Sequence, residues 1–428
     1  MRALAQFAPA RQHPLGPLRP LRLLAGGSGA IAQGMTKATS PAPHVDSYRA
    51  MRISQLAHRL AAEGRDIIHM EFGQPSTGAP SAAIALSHRL LDSDSLGYWE
   101  NPALKARIAR FYAEEHEAIV TPEQIILTCG ASPALVLALT SAFVPGARVA
   151  LARPGYVAYR NTLRALHMEP VEIGCGPETG FQITAAALAA IEPAPDGVII
   201  ASPANPTGTI IPDAELAAIA DVARARGIRI VSDEIYHGLT FGEPTRSILR
   251  HEPRALVVNS FSKYFSMPGW RLGWLVAPPA LVENAYARMS NLFLTPPTLS
   301  QHAGLAAFDC REELDGHIAT YAANRAAMLA ALPKLGLARI APPDGAFYIW
   351  ADIAHLLGPD LPDSLAFCTR LLEETGVATS PGLDYDPVEG HHFMRFSFAV
   401  STPLVEAALA RLVPWFAQRA AQVAAQPA

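Results

Sequence analysis

The sequence predicts an α/β protein built on a mostly parallel sheet, and two observations carry that reading. Between residues 125 and 276, short apolar runs of strand length alternate with stretches of helical pattern, an order that gives a sheet covered by helices on both faces. Polar, turn-forming residues stand just after four of those runs, and open α/β sheets bind ligands beyond the carboxyl ends of their strands.

In chain order, a helical pattern from residue 47 to about 62 leads into an apolar strand-like run at 67–72 that stops at Gly73. Six core strands follow at 125–128, 148–151, 170–173, 198–201, 228–231 and 256–259. The first turns through Gly130, Ala131 and Ser132 into a helix expected at 134–143, with Ser132 as N-cap and Pro133 at the first helical position. The helix at 213–226 begins with Asp213 and Glu215, acids suited to its positive end. The glycines of 174–180 are spaced one residue too long for a dinucleotide loop and read as a surface turn. The Ala- and Gln-rich end, 418–428, reads as a helix fraying into a loose tail. The chain contains no internal repeat.

A length of 428 residues suits two or three domains. Half the residues are hydrophobic and 17% are charged, which argues against disorder over most of the chain. The charge balance, 34 − 38 = −4, supplies no basic field for a nucleic acid or an anionic membrane. The longest apolar candidate for a membrane span, 134–144, stops at Pro145, short of the roughly 18 residues required. The four cysteines, Cys129, Cys175, Cys310 and Cys368, form no Cys-x-x-Cys pair; each reads as a small buried hydrophobe in a reducing, cytoplasmic compartment. Residues 1–45 hold Arg2, Arg11, Arg19, Arg22 and Lys37 and no acid. That start reads as a disordered or targeting tail, with Pro14, Pro17 and Pro20 interrupting an amphipathic helix and Met35 an alternative first residue.

The turn residues after the strands are Gly130-Ala131-Ser132, Asn205-Pro206-Thr207-Gly208, Asp233-Glu234-Ile235-Tyr236 and Ser260-Phe261-Ser262-Lys263. One such loop carries little weight, because any turn uses these residue types; four in successive units converge on one site. In this order, with Gly269-Trp270-Arg271-Leu272-Gly273 following, they resemble the class I/II aminotransferases, pyridoxal-phosphate enzymes of fold type I, over residues 47 to about 416. The resemblance implies a large cofactor domain at 81–295 around a seven-stranded sheet and a smaller α+β domain from 46–80 and 296–418, with a loose tail at 419–428. It also implies a homodimer, aspartate aminotransferase-like, that passes an amino group from an L-amino acid to a 2-oxo acid in a ping-pong cycle.

Pyridoxal phosphate needs an amine to form a Schiff base with its aldehyde and to shuttle the substrate proton. Of the four lysines, Lys37 lies in the tail, Lys105 on a helix surface and Lys334 at a helix terminus; Lys263 alone follows a core strand. Ser260, Ser262 and Arg271 offer donors to a phosphate, and the helix after Gly130, Ala131 and Ser132 would present its amino end to the same anion. A carboxylate must keep the ring nitrogen protonated, and Asp233 matches that position. By resemblance Asn205 and Tyr236 bond the phenolic oxygen, with Asn205 also at the substrate, and Tyr156 stacks on the ring. A guanidinium is the natural receptor of a substrate α-carboxylate; Arg395, in an alternating strand-like run, matches the family's arginine, with Gly73 the close-approaching backbone. Tyr98 resembles the phosphate-binding tyrosine donated by the neighbouring subunit, although the segment after it is about three residues short.

The same constellation would also serve a pyridoxal-phosphate C–S lyase or decarboxylase, and more remotely a non-catalytic regulator domain, for which no helix-turn-helix pattern is present. His391 and His392 adjoin without the i, i+4 spacing of a zinc pair, and no metal site is expected. For the substrate, aspartate with 2-oxoglutarate is the family's commonest pairing. Aspartate would need a second cationic contact; an aromatic donor would need an apolar pocket, for which Trp99, Phe181, Phe347 and Tyr348 are candidates.

Overall fold

The structure is a computed structural model describing residue 43 and residues 45–425. The expected amino-terminal tail and the reading of Met35 lie outside the described residues, apart from Pro43 and Val45, as do the last three residues of the chain.

Seven strands form the central sheet: β1 (Ile125–Thr128), β2 (Arg148–Arg153), β3 (Glu169–Gly174), β4 (Gly197–Ala201), β5 (Arg229–Asp233), β6 (Leu256–Ser260) and β7 (Gly273–Val276). Their spatial order is β1-β7-β6-β5-β4-β2-β3. All neighbours are parallel except β7, which runs antiparallel to both β1 and β6. The six apolar runs give six of these strands; β7 escapes them because it is four residues long, opens on a glycine and follows β6 without an intervening α-helix.

Strand periodicity sends successive side chains to opposite faces, and both faces here are apolar. Leu127, Val198, Ile200, Ile230, Val257 and Trp274 pack on one side with Leu104 and Ile108 of the helix Pro102–His116 and Leu216 and Ile219 of the helix Asp213–Arg226. Ile126, Leu151, Ile199, Val231, Val258 and Leu275 pack on the other with the helices Ala131–Ala142 and Pro279–Leu292. Each side chain so buried contributes about 1.5–3 kcal/mol, so the paired faces fix the strand register.

A separate core surrounds the three-stranded antiparallel sheet of Tyr348–Asp352, Phe393–Ser397 and Ser380–Pro381. The helices Ala50–Ala62, Arg311–Ala331, Ser364–Thr375 and Thr402–Ala424 contribute to it. The strand expected at 67–72 is only Ile68–His69, paired in parallel with Val377–Ala378. Past it the Met70 carbonyl accepts the Ser397 amide at 2.8 Å, and residues 71–73 leave the sheet for the cleft described below. The final helix also runs further than its composition suggested. Arg419 is 3% exposed, and its Nη1 lies 2.8 Å from the Asp360 carboxylate, so the chain stays packed through that turn.

The helix after β1 starts at Ala131, three residues earlier than expected, so Ser132 and Pro133 lie inside its first turn and Ser132 is not its N-cap. Gly130 takes that place with φ 99°, a conformation open to glycine, and it completes the strand-to-helix turn before Ser132 is reached. Gly273 is packed against this turn: a Cβ there would stand 2.7 Å from the Gly130 carbonyl carbon and 2.8 Å from the Asn259 oxygen. Both neighbours are backbone held in the sheet and cannot rotate away. Gly273→Ala is therefore expected to cost about 1–3 kcal/mol of stability, read as a lower midpoint in urea unfolding; an unchanged midpoint would contradict this packing.

Candidate active site

The carboxyl ends of β4, β5 and β6 and the turn after β1 meet at a cleft of about 500 Å³. Its lining includes Gly73, Ala131, Ser132, Tyr156, Asn205, Asp233, Tyr236, Ser262, Lys263, Arg271 and Arg395. The strand ends gather on one edge because neighbouring parallel strands finish there, and Gly73 and Arg395, more than 300 positions apart, reach the same cleft from outside the central sheet.

Lys263 lies in the connection between β6 and β7 and is half-buried at the cleft wall. Its Nζ donates to the Gly73 carbonyl. Burial, and next the charge of Arg395, push its ammonium down to about 8, against the opposing pull of Asp233. About a tenth of the amine is thus neutral at pH 7, far more than for an ordinary lysine. Gly73 has to be glycine, because a Cβ would collide with the Tyr348 hydroxyl. The Tyr348 Oη lies 2.6 Å from that of Tyr236.

Asp233 closes β5 and is 8% exposed. Burial raises its carboxyl, while a 2.6 Å hydrogen bond from Tyr159 Oη and a 3.1 Å bond from the Ile235 amide support the anion. Tyr159 sits one turn along the helix Val157–Ala165 from Tyr156, and their rings meet edge to face at 5.4 Å.

At the other end of the cleft the first turn of the helix Ala131–Ala142 faces Arg271 and Ser262. Arg271 donates to the carbonyls of Cys129 at 3.1 Å and Pro268 at 3.0 Å. Both acceptors are neutral, so its charge adds to the positive helix end. A Cβ on Gly130 would come within 2.5 Å of the Arg271 Nη2; the glycine is what lets the guanidinium cross the turn. An anion cradle at one end, a carboxylate at the other and an amine between them suit pyridoxal phosphate: Arg271, Ser132 and Ser262 for its phosphate, Asp233 for its ring nitrogen, Lys263 for its aldehyde.

Arg395 occupies the middle of the strand Phe393–Ser397 and is 1% exposed. It donates to Asn205 Oδ1 at 2.8 Å, to Ser380 Oγ at 3.2 Å and to the Glu71 carbonyl. The rings of Tyr348 and Tyr385 lie 4.3 and 4.9 Å from it. None of these partners is a carboxylate, and its Nε makes no hydrogen bond among the described residues.

Two expected contacts lie elsewhere. Ser260 does not line the cleft: its Oγ accepts the Ser262 amide at 3.1 Å, bracing the turn from behind. Tyr98 is 84% exposed, away from the cleft of its own chain. Gly130 shapes the cradle through its backbone. Of the four aromatics offered for a substrate pocket, only Tyr348 reaches the cleft. Trp99 stacks on His302, Phe181 packs with Trp350, and Phe347 lies behind Tyr236. Tyr48, Phe72, Tyr159 and Phe293 line the cleft without having been singled out from the sequence. Only Tyr159 left a signal, its spacing of three from Tyr156 at a helix start.

The family description "Aminotransferase class I and II" matches residues 65–412. A valine–pyruvate aminotransferase of Mycobacterium tuberculosis is 46% identical over 366 residues, 84% of this chain and 93% of that one. The crystal structure of an aminotransferase from Mycobacterium tuberculosis superposes with a TM-score of 0.84 at 43% identity, covering 87% of this chain and 97% of the other. The aspartate aminotransferase of Thermus thermophilus with maleate superposes at 0.81 with 29% identity, covering 86% and 97%. Strand ends, cleft and family agree: this chain belongs to the class I and II aminotransferases, pyridoxal-phosphate-dependent enzymes that act on amino acids and 2-oxo acids.

Proposed function

We propose that this aminotransferase takes its amino group from an amino acid with a small apolar side chain, of the valine class, and delivers it to a 2-oxo acid such as pyruvate. One observation carries the choice. The only cationic side chains lining the cleft among the described residues are Lys263, Arg271 and Arg395, and each is committed to the cofactor or to the substrate α-carboxylate. A second carboxylate, as in the aspartate expected from the family's commonest activity, would enter a cleft whose walls include Phe72, Val136 and Phe293 with no further cation of the same chain to meet it. The activity of the Mycobacterium tuberculosis relative points the same way.

Pyridoxal phosphate, when bound, supplies the electron sink that lets the bond from Cα to hydrogen ionise. The chain does the rest. Arg395 receives the substrate carboxylate as a fork, with Asn205 fixing the guanidinium plane. The Lys263 amine would take the proton from Cα, as a base whose pKa burial has brought near the working pH. Asp233, steadied by Tyr159, holds the ring-nitrogen proton, and Tyr236 and Tyr348 form a paired hydroxyl wall. The 2-oxo acid product departs before the acceptor enters, so the cycle is ping-pong. The same cleft calls for a second copy of the chain. Thr298 and Thr295 tie the loop of Tyr98 and Trp99 to the segment carrying Leu292 and Leu294, and all four apolar residues are exposed beside the cleft-lining Phe293. Such a patch suits a homodimer in which Tyr98 enters the partner's phosphate site.

Single amino acids added to holoenzyme without any oxo acid are expected to convert the cofactor band to the pyridoxamine form with valine at least tenfold more efficiently than with aspartate; the reverse order would overturn the donor assignment. Apoenzyme should bind pyridoxal phosphate covalently at a rate that rises tenfold per unit as pH increases and levels off above about 8, where the Lys263 amine is neutral. A flat profile, or covalent uptake by Lys263→Ala, would remove Lys263 from this role. Sedimentation of the holoenzyme should give twice the 45.6 kDa chain mass, and a monomer with full activity would refute the shared site.

A further inference from the structure

Behind the lysine turn lies a second cavity of about 250 Å³ that the amino transfer does not use. The turn itself is the partition: Ser262 and Lys263 line the cleft, whereas Ser260 and Tyr264 line the second cavity. His116 and His237 form part of its wall, each 4% exposed, with ring centroids 4.7 Å apart. Neither ring nitrogen of His116 makes a close hydrogen bond among the described residues, nor does the Arg107 Nε that lines the same space, whereas His237 Nδ1 stands 3.5 Å from the buried Glu234 carboxylate. Buried polar atoms are nearly always paired, so this concentration of unpaired ones around one cavity marks a surface shaped for a polar edge.

The chemistry of that edge follows from the walls. Burial pushes His116 down to about 4 and His237 well below its ordinary value, so both rings are neutral at pH 7, and a neutral imidazole offers one N–H and one lone pair. Phe111, Phe265, Trp274 and Phe308 supply flat apolar faces. The charges in the lining answer one another: Arg107 meets Glu114 at 3.4 Å, and Arg311 meets Glu115 and, at 3.7 Å, Asp315. They exert little net pull on an ion.

We propose that this cavity is a binding site for a flat, uncharged heteroaromatic molecule of one or two rings, hydrogen-bonded through an adjacent donor and acceptor to His116 and His237 between aromatic walls.

Adenine serves as the probe, on the holoenzyme, so that the cofactor already fills the cleft. Calorimetry is expected to detect binding at millimolar adenine, and ¹⁵N spectra of histidine-labelled protein should show the ring resonances of His116 and His237 moving while the other histidines stay fixed. His116→Phe should weaken adenine at least about tenfold and leave transamination without adenine unchanged; His116→Gln, which keeps a polar edge, should retain most of the affinity. Toluene, flat but without the polar edge, should bind at least about tenfold more weakly. No binding, binding that leaves both histidine resonances in place, or equal affinity in a folded His116→Phe would each overturn the proposal. Because the readout is binding and not turnover, a wrong amino donor would not affect it.

Discussion

The Arg395 guanidinium is the charge on which the cleft depends. It is buried in the middle of a strand, where an ion without partners would be costly. It is satisfied from three directions: by the Glu71 carbonyl from the segment leading to Gly73, by Asn205 at the end of β4 and by Ser380 on the neighbouring strand. Each contact pins a different part of the chain against the others. Removing the charge would leave the Glu71 carbonyl to Ser380 Oγ alone, loosening the segment that leads to the carbonyl receiving Lys263. The side chain proposed for the substrate carboxylate therefore also ties together segments of both cores.

Electrostatics across the cleft are graded. Arg395 and burial lower the Lys263 ammonium, whereas Asp233 opposes that shift. The carboxyl of Asp233 is itself raised by burial and supported as an anion by Tyr159 and the Ile235 amide. The same desolvation thus raises the carboxyl and lowers the ammonium, and the charge of each partly offsets the other's shift. At the far end the neutral carbonyl partners of Arg271 leave its charge outward-facing. The order cation, amine, carboxylate along one cleft is what a phosphorylated pyridine aldehyde requires.

Glycines make the close approaches possible. Gly73 admits the Tyr348 hydroxyl, Gly130 admits Arg271, and Gly273 packs β7 against the Gly130 turn. A side chain at any of them would push apart elements that the chemistry needs within hydrogen-bond reach. The antiparallel β7 brings the residues after Lys263 back beside β1, which sets Arg271 opposite the helix end.

Six of the seven strands were legible in the sequence, and Lys263, Asp233 and Arg395, which the sequence pointed to, line one cleft, because period-two apolar runs and the polar residues that end them are local properties of the chain. The family was legible because several such endings occur in a fixed order. What the tertiary structure alone decided was distance and facing. Ser260 and Ser262 stand two residues apart, yet only Ser262 meets the cleft, since the chain leaves the strand and turns between them. Tyr48 and Phe293 reach the site although nothing along the chain ties them to it, and Trp99, Phe181 and Phe347 face other partners although their composition suited a pocket. Sequence determines which groups a strand end carries; which of them share a space depends on long-range packing, and no spacing along the chain encodes that.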